Sequence, residues 1–329
     1  MLKHLLALAS ASGGIPRLSI LIFHRVLPAA DPLFPEEIDA PRFDRICGWL
    51  RRWFQVLPLP QALASLANGT LPPGACAITF DDGYADNCEV ALPILKAHGL
   101  SATFFISTGF LDGGRMWNDT IIESVRRTTR PQLDLSDLAG GTADEEAIVP
   151  TGSIVERQRA IEALIGRFKY LVPAERLAQA EKLSQMAKVR LPDDLMLTSS
   201  QLLDLHRAGM QIGAHTVSHP ILARLEQAAQ AAEINASKRF LETLLQERIG
   251  LFAYPNGKPG TDYNTKSIEL ARAAGFDAAV STAWGAADKA TDPFQLPRFT
   301  PWDRSALRFG LRMASNLVRK TPELALLNA

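Results

Sequence analysis

The chain has 329 residues, of which 47% are hydrophobic and 21% charged; this composition excludes intrinsic disorder and suits one large α/β domain or two ordinary ones. Thirty-five basic and 35 acidic side chains leave no formal net charge, so no overall field draws the protein to nucleic acid or to an anionic surface. The three cysteines, Cys47, Cys76 and Cys88, form no CxxC pair, which argues against a disulfide framework and a cysteine zinc module.

At the start, Met1–Ser10 reads as a short amphipathic lead-in helix, because its apolar stretch is shorter than the ~7 to 15 residues of a signal-peptide core. The compartment expected by default is the cytoplasm, with the periplasm or cell envelope as the alternative. No apolar run approaches the ~18 residues that span a bilayer. Leu18–Phe23 reads as a buried parallel strand, since strands covered on both faces lose polar alternation. Arg42–Trp53 has helical spacing, Cys76–Phe80 is a second strand, and Glu89–His98 is a helix stopped by Gly99. Thr103–Ile106 is the next strand.

From about Arg126 to Arg190 strand signals vanish, and Val155–Phe168 and Ala174–Val189 read as surface helices, so this stretch is expected to be a helical insertion. Strands resume at Met210–Ala214, Gly250–Ala253, Ala278–Val280 and Leu296–Phe299, with a long helix over Leu222–Leu245. Strands alternating with helices predict an α/β fold, a distorted (β/α) barrel rather than an open sheet. The barrel is expected over 17–302, with an amphipathic, locally basic C-terminal tail over 303–329 that docks on it.

No GxSxG elbow, GxGxxG fingerprint or phosphate loop occurs. The chemistry-bearing residues are Asp and His at predicted strand ends, where catalytic groups of β/α barrels converge. Thr79-Phe80-Asp81-Asp82-Gly83 is either an Asp-Gly turn with solvated acids or a site to which both carboxylates turn. His215-Thr216-Val217-Ser218-His219 is either a structural histidine pair or two imidazoles that share a cation. Taken together they amount to two imidazoles, one carboxylate and a spare acid, the inventory of a metal-dependent hydrolase.

These two motifs, in this order, resemble those of the polysaccharide deacetylases, carbohydrate esterase family four with the NodB-homology domain. The resemblance implies a divalent metal, commonly zinc with cobalt, nickel or manganese as alternatives, held by Asp82, His215 and His219. It implies Asp81 as the general base toward water. The family's third motif is R-x-P-Y-G; here Ala253-Tyr254-Pro255-Asn256-Gly257 keeps Pro and Gly but has Ala253 in place of the Arg and Asn256 in place of the Tyr. The Asn256 N–H can still donate to an oxyanion, and Arg298 is the candidate substitute for the missing arginine. The family's late acid histidine is absent, since no histidine follows His219. His24, at the end of the first strand, is the candidate acid and resembles the permuted subgroup that deacetylates exopolysaccharides such as poly-N-acetylglucosamine. Tyr254 and Trp117 are candidate substrate contacts, Trp117 by stacking on a sugar. His4, His98 and His206 read as helix-associated and non-catalytic. The partner expected is an N-acetylated saccharide of exopolysaccharide or glycolipid biosynthesis, with no nucleic acid and no membrane span; the oligomeric state stays open. A small-molecule amidohydrolase or deformylase, and a non-catalytic saccharide-binding protein, are the alternative functions.

Overall fold

The computed structural model describes residues 16–138 and 147–319. The expected lead-in helix at Met1–Ser10, with His4, and the end of the C-terminal run lie outside the described residues. In chain order the elements are β1 (Ser19–Phe23), α1 (Ala40–Trp53), β2 (Gln55–Val56), α2 (Leu59–Ala67), β3 (Ala75–Phe80), α3 (Leu92–His98) and β4 (Thr103–Ile106). There follow α4 (Trp117–Arg127), β5 (Gln132–Asp134), β6 (Ile148–Pro150), α5 (Ile154–Phe168), α6 (Pro173–Ala187) and α7 (Ser199–Arg207). Last come β7 (Gln211–Ala214), α8 (Gln227–Leu245), β8 (Leu251–Ala253), α9 (Thr265–Ala273), β9 (Ala278–Trp284), β10 (Leu296–Arg298) and α10 (Ala306–Val318). The chain forms two compact units: Met1–Ala29, Ile38–Leu111 and Leu197–Ala329 make the first, Ala30–Glu37 and Asp112–Met196 the second.

The first unit is a distorted (β/α) barrel. Its strands run in the order β1-β3-β4-β7-β8-β9-β10, with β2 beside β3, and every neighbouring pair is parallel. Beyond β10 the chain closes on β1: the Ile22 N–H donates to the Phe299 carbonyl at 3.0 Å and the Phe299 N–H to the Ile20 carbonyl at 2.8 Å. Side chains alternate along each strand. Outward residues such as Phe80 and Phe104 pack with Phe43 of α1 and Leu95 of α3, and the Phe80 and Phe104 rings stack at 4.8 Å. The alternate set, Ala77, Phe105, Leu251, Ala253 and Leu296, fills the barrel with Leu59 and Ala62 of α2. Gly213 leaves the room that Phe105 occupies, since a Cβ there would lie 2.5 Å from a ring carbon. One inward step further along β3, β7 and β10 are Asp81, His215 and Arg298, so the packing pattern that fills the barrel also selects which residues reach its C-terminal mouth.

Two helices differ from the sequence expectation. The turns before Leu92 form a π-helical segment, Asn87–Ala91; Pro93, lacking an N–H, interrupts the regular ladder there. The expected Leu222–Leu245 helix is a single 3₁₀ turn, Leu222–Arg224, followed by α8. Gly99, in the left-handed conformation with φ 64°, ends α3.

The second unit packs α4, α5 and α6 around Ile121, Leu133, Leu164, Phe168 and Leu183. Arg157 donates to the carbonyls of Val125 and Thr128 at 2.8 and 2.9 Å, satisfying acceptors that the end of α4 leaves open. The unit starts at Asp112 and takes in Ala30–Glu37, so it is wider than the Arg126–Arg190 stretch read from the sequence. It also contains an antiparallel pair, β5 with β6, where only helices were expected. Three-residue strands are too short to display period-two alternation. Among the described residues no helix is long and apolar enough to cross a membrane.

Candidate metal centre and active site

Asp81 and Asp82 follow β3, and the backbone decides where they point. Asp81 continues the ladder, its N–H donating to the Phe23 carbonyl at 2.9 Å, so its side chain faces inward. Asp82 then turns into the left-handed region at φ 76°, and Gly83 follows at φ 90°. That reversal breaks the strand alternation and brings the second carboxylate to the same side as the first.

The two histidines arrive on a similarly constrained loop. The His215 N–H bonds the Ile106 carbonyl at 3.0 Å, anchoring it to the end of β4. Thr216 and His219 are both left-handed, φ 66° and 52°, and the His219 N–H donates to Thr216 Oγ1 at 3.1 Å. From α8, Glu233 accepts from the backbone N–H of Val217 and Ser218 at 2.8 and 2.9 Å and from the Ser218 hydroxyl at 2.6 Å. One carboxylate thus holds the loop that carries both imidazoles.

His215 Nδ1 donates to the Ala253 carbonyl at 2.8 Å, which leaves Nε2 for the site. The Nε2 atoms of His215 and His219 lie 3.5 and 3.4 Å from Asp82 Oδ1. That oxygen is buried and makes no hydrogen bond among the described residues. Donor atoms of the three side chains all lie within 4.8 Å of one another. An orphaned buried carboxylate oxygen between two ring nitrogens is the donor set a divalent cation takes, so the residues fit the metal that the motifs imply.

The electrostatics agree with that use. Burial acts to raise the Asp82 pKa, but the His215 and His219 imidazoles hold it well below the usual carboxylate range. Burial pushes His219 down to about 4 despite the Asp82 charge, keeping it a neutral imidazole near neutral pH. For His215 burial works in the same direction, but Asp82 and Asp81 outweigh it and raise the pKa.

Asp81 is fixed by the substitute arginine. Arg298 is fully buried and its guanidinium forks the carboxylate, Nη1 to Oδ1 at 2.7 Å and Nη2 to Oδ2 at 2.6 Å. Two further donors, on Nη1 and Nε, reach the Thr79 hydroxyl at 3.2 Å and the Ser281 carbonyl at 2.8 Å. Burial would raise the Asp81 pKa; the Arg298 charge prevails and lowers it. The Arg298–Asp81 pair is thus a buried salt bridge.

His24 follows β1, in register beside Asp81 through the Phe23–Phe80 pair, and is exposed. Its charge adds to the field that lowers the Asp81 and Asp82 pKa values. Two residues beyond the first motif hold this strand end. Asp86 accepts from Arg25 Nε at 2.8 Å and from the Val26 N–H at 3.1 Å, and Asn87 donates to the His24 carbonyl at 2.9 Å. Asn256 is left-handed at φ 59° and exposed in the turn after β8, its carbonyl accepting from the Thr282 hydroxyl at 2.9 Å.

The two expected substrate contacts fare differently. Tyr254 is fully buried, its ring stacked on Tyr263 at 4.0 Å among the outward-facing core. That corrects its reading as a substrate contact: the residue after Ala253 alternates away from the mouth. Trp117 begins α4 in the second unit, packed against that unit's core with the Arg176 guanidinium 4.8 Å above its ring, so one ring face is already occupied. His98 pairs with Asp44 at 2.8 Å and His206 with Glu247 at 2.7 Å. Sequence reasoning missed Glu233, Asp86 and Asn87, the residues that hold the motif loops.

The sequence pattern of the family described as polysaccharide deacetylase matches residues 68–130 and 178–279, both motifs included. This chain belongs to the polysaccharide deacetylase family. Members are hydrolases of N-acetyl amide bonds, and deacetylation of a saccharide is the activity that membership gives this chain. YxkH of Bacillus subtilis (strain 168), whose provisional name places it in the same family, is 22% identical over 284 residues, 86% of this chain and 70% of that protein. Among solved structures, the Streptococcus pyogenes deacetylase PplD, determined with acetate, is 20% identical with a TM-score of 0.58, over 87% of this chain and 92% of that one. IcaB from Ammonifex degensii is 18% identical with a TM-score of 0.56, over 92% and 97%. These likenesses support the deacetylase barrel, and the unmatched residues 131–177 fall within the second unit.

Proposed function

We propose that this polysaccharide deacetylase is a metal-dependent N-deacetylase of an N-acetylated saccharide, acting in exopolysaccharide or glycolipid biosynthesis. The observation that carries the reading is the juxtaposition of the Asp82–His215–His219 donor set with a buried carboxylate, Asp81, locked in a fork by Arg298. A divalent metal held by Asp82, His215 and His219, zinc before cobalt, nickel or manganese, supplies Lewis acidity at the amide carbonyl.

The chain's own residues do the rest. Asp81, kept ionised by Arg298, takes a proton from the attacking water as its oxygen bonds to the acetyl carbon. The Asn256 N–H donates to the oxyanion that develops. His24 gives its proton to the departing nitrogen as the C–N bond breaks, leaving acetate and a free amine. The position of His24 just after the first strand, ahead of both motifs, favours the exopolysaccharide subgroup, and the absence of any histidine after His219 leaves the acid role to it.

Acetate release should be measured on N-acetylated oligosaccharides of several lengths and on single sugars. Release that stops with chelator, returns with zinc and grows with chain length is expected. Turnover unaffected by exhaustive chelation overturns the metal, and turnover of single sugars alone moves the substrate to a small molecule.

A further inference from the structure

The last described helix, α10, has two distinct faces. Phe309, Met313 and Leu317 are fully buried against the barrel, and Asn316 donates to the Gly285 carbonyl at 3.0 Å. On the opposite side, Leu307, Leu311 and Val318 are 65, 57 and 55% exposed. Their spacing of four and then seven residues places them on one stripe. A row of large aliphatic side chains in water is unfavourable unless something covers it.

Charge says what covers it. From Arg304 to Arg319 the chain contains four arginines and no acid. Asp303, the acid just ahead, is buried and faces Arg312 at 3.4 Å. Beside the helix, Trp302 and Trp284 are 44 and 38% exposed with ring centroids 5.4 Å apart. Arg312 lies 4.7 Å over the first and Arg319 5.5 Å over the second. Half-exposed indoles, an aliphatic stripe and a local excess of arginine over acid are the side chains that partition into the headgroup region of a membrane.

We propose that α10 docks the protein onto an anionic lipid surface, Leu307, Leu311 and Val318 entering the acyl boundary while Arg308 and Arg319 lie among the lipid phosphates. A second copy is a poor occupant, because it would bring two arginine-rich helices together. The chain's first fifteen residues contain no acid either, so they do not supply the complementary charge. The zero net charge of the whole protein makes this attraction local, short-ranged and sensitive to salt. The proposal is independent of the deacetylase chemistry.

Co-sedimentation of the full chain with vesicles tests it, using phosphatidylcholine alone and phosphatidylcholine mixed with phosphatidylglycerol. Binding is expected only to the mixed vesicles and should fall as salt rises. Arg308→Gln with Arg319→Gln should weaken partitioning by about 25-fold, about fivefold for each charge near the surface. Leu307→Ser with Leu311→Ser should weaken it through the apolar contact with little change in salt dependence, and unaltered thermal unfolding shows that either variant is folded. Equal binding to both vesicle types, no binding to the mixed ones, or binding that both double variants retain overturns the proposal. A concentration-dependent dimer that the leucine variant dissolves assigns the stripe to a second copy and overturns it as well.

Discussion

Removing Arg298 separates two energies that the wild-type pair conceals. Arg298→Ala leaves a cavity where a fully buried guanidinium sat and leaves Asp81, itself buried, without the two hydrogen bonds that offset its desolvation. Breaking a buried pair in this way costs about 3–5 kcal/mol, much of it for the charge left behind. Arg298→Ala combined with Asp81→Asn keeps the cavity but removes the charge. The double variant is therefore expected to be the more stable of the two, by about 1–3 kcal/mol, the desolvation penalty of one unmatched polar group. The measurement is thermal unfolding of chelator-treated proteins, so that no metal contributes.

The pH dependence has a definite sign. In the wild type the Asp81 pKa is lowered, after Arg298 overcomes the effect of burial. Its contribution is thus present above the unfolded carboxylate pKa of about 4 and is lost as pH falls below it. In Arg298→Ala, burial acts without that opposition, Asp81 moves up, and the folded state prefers the protonated acid. The stability gap between wild type and Arg298→Ala should be widest near neutral pH and narrow toward pH of about 4. If single and double variants unfold at the same temperature across that range, Asp81 is not a buried charge dependent on Arg298 and the positioning argument fails.

Four further outcomes follow from the same geometry. His219→Ala should lose stoichiometric metal and activity together, read by elemental analysis beside acetate release, whereas full metal occupancy would sink the ligand assignment. His24→Ala should keep the metal but lower kcat on an amide by roughly two to four orders of magnitude, with a smaller loss on an activated ester; equal losses on both substrates refute the acid role. Glu233→Ala, which releases three hydrogen bonds from the histidine loop, should weaken metal affinity about 10- to 100-fold in a competition titration with the fold retained, and wild-type affinity argues against it. Gly213→Ala forces a Cβ to within 2.5 Å of the Phe105 ring inside the barrel and should destabilise by about 1–3 kcal/mol, whereas Gly250→Ala meets only the exposed, movable Asp277 and Arg248 side chains and should shift unfolding little.

The parts of the fold legible in the sequence are those whose signal is local. Buried parallel strands such as Ser19–Phe23 and Thr103–Ile106 read as unbroken apolar runs because both faces are covered. The two motifs of the candidate site were legible because the residues of each lie within five positions of one another. What escaped was either short or distant. The β5–β6 pair has three residues a strand and an intervening stretch that hides the hairpin. Glu233 holds Val217 from sixteen residues away, across a loop and into a helix, and nothing about a glutamate in a helical run marks it for that task. Tyr254 failed for a different reason: motif position suggested the mouth, but strand alternation sent its ring outward to Tyr263.

Asp81 is held by Arg298 on β10 and not by a side chain at position 253, which shows what the barrel requires of its parts. The expected position, Ala253, is an inward residue at the end of β8, where its carbonyl orients His215 Nδ1 and its small side chain belongs to the packed interior. Arg298 reaches the same mouth from β10, whose chain closes onto β1 next to β3 and the Asp81 it must hold. Each guanidinium nitrogen at the fork meets one carboxylate oxygen, and this planar match depends on the arginine's donors rather than on the strand that delivers it. Strand ends of a closed barrel converge on one axis, so a charged group can move from one strand to another and still meet its partner. The restriction is on the backbone beneath it. Arg298 directs Nε to the Ser281 carbonyl on the neighbouring strand, a bond that fixes the plane of the fork. Lysine at this position would keep the charge near Asp81 but, with all its donors on one nitrogen, could not make two parallel bonds to the carboxylate and also reach that carbonyl, which makes arginine the residue this geometry selects.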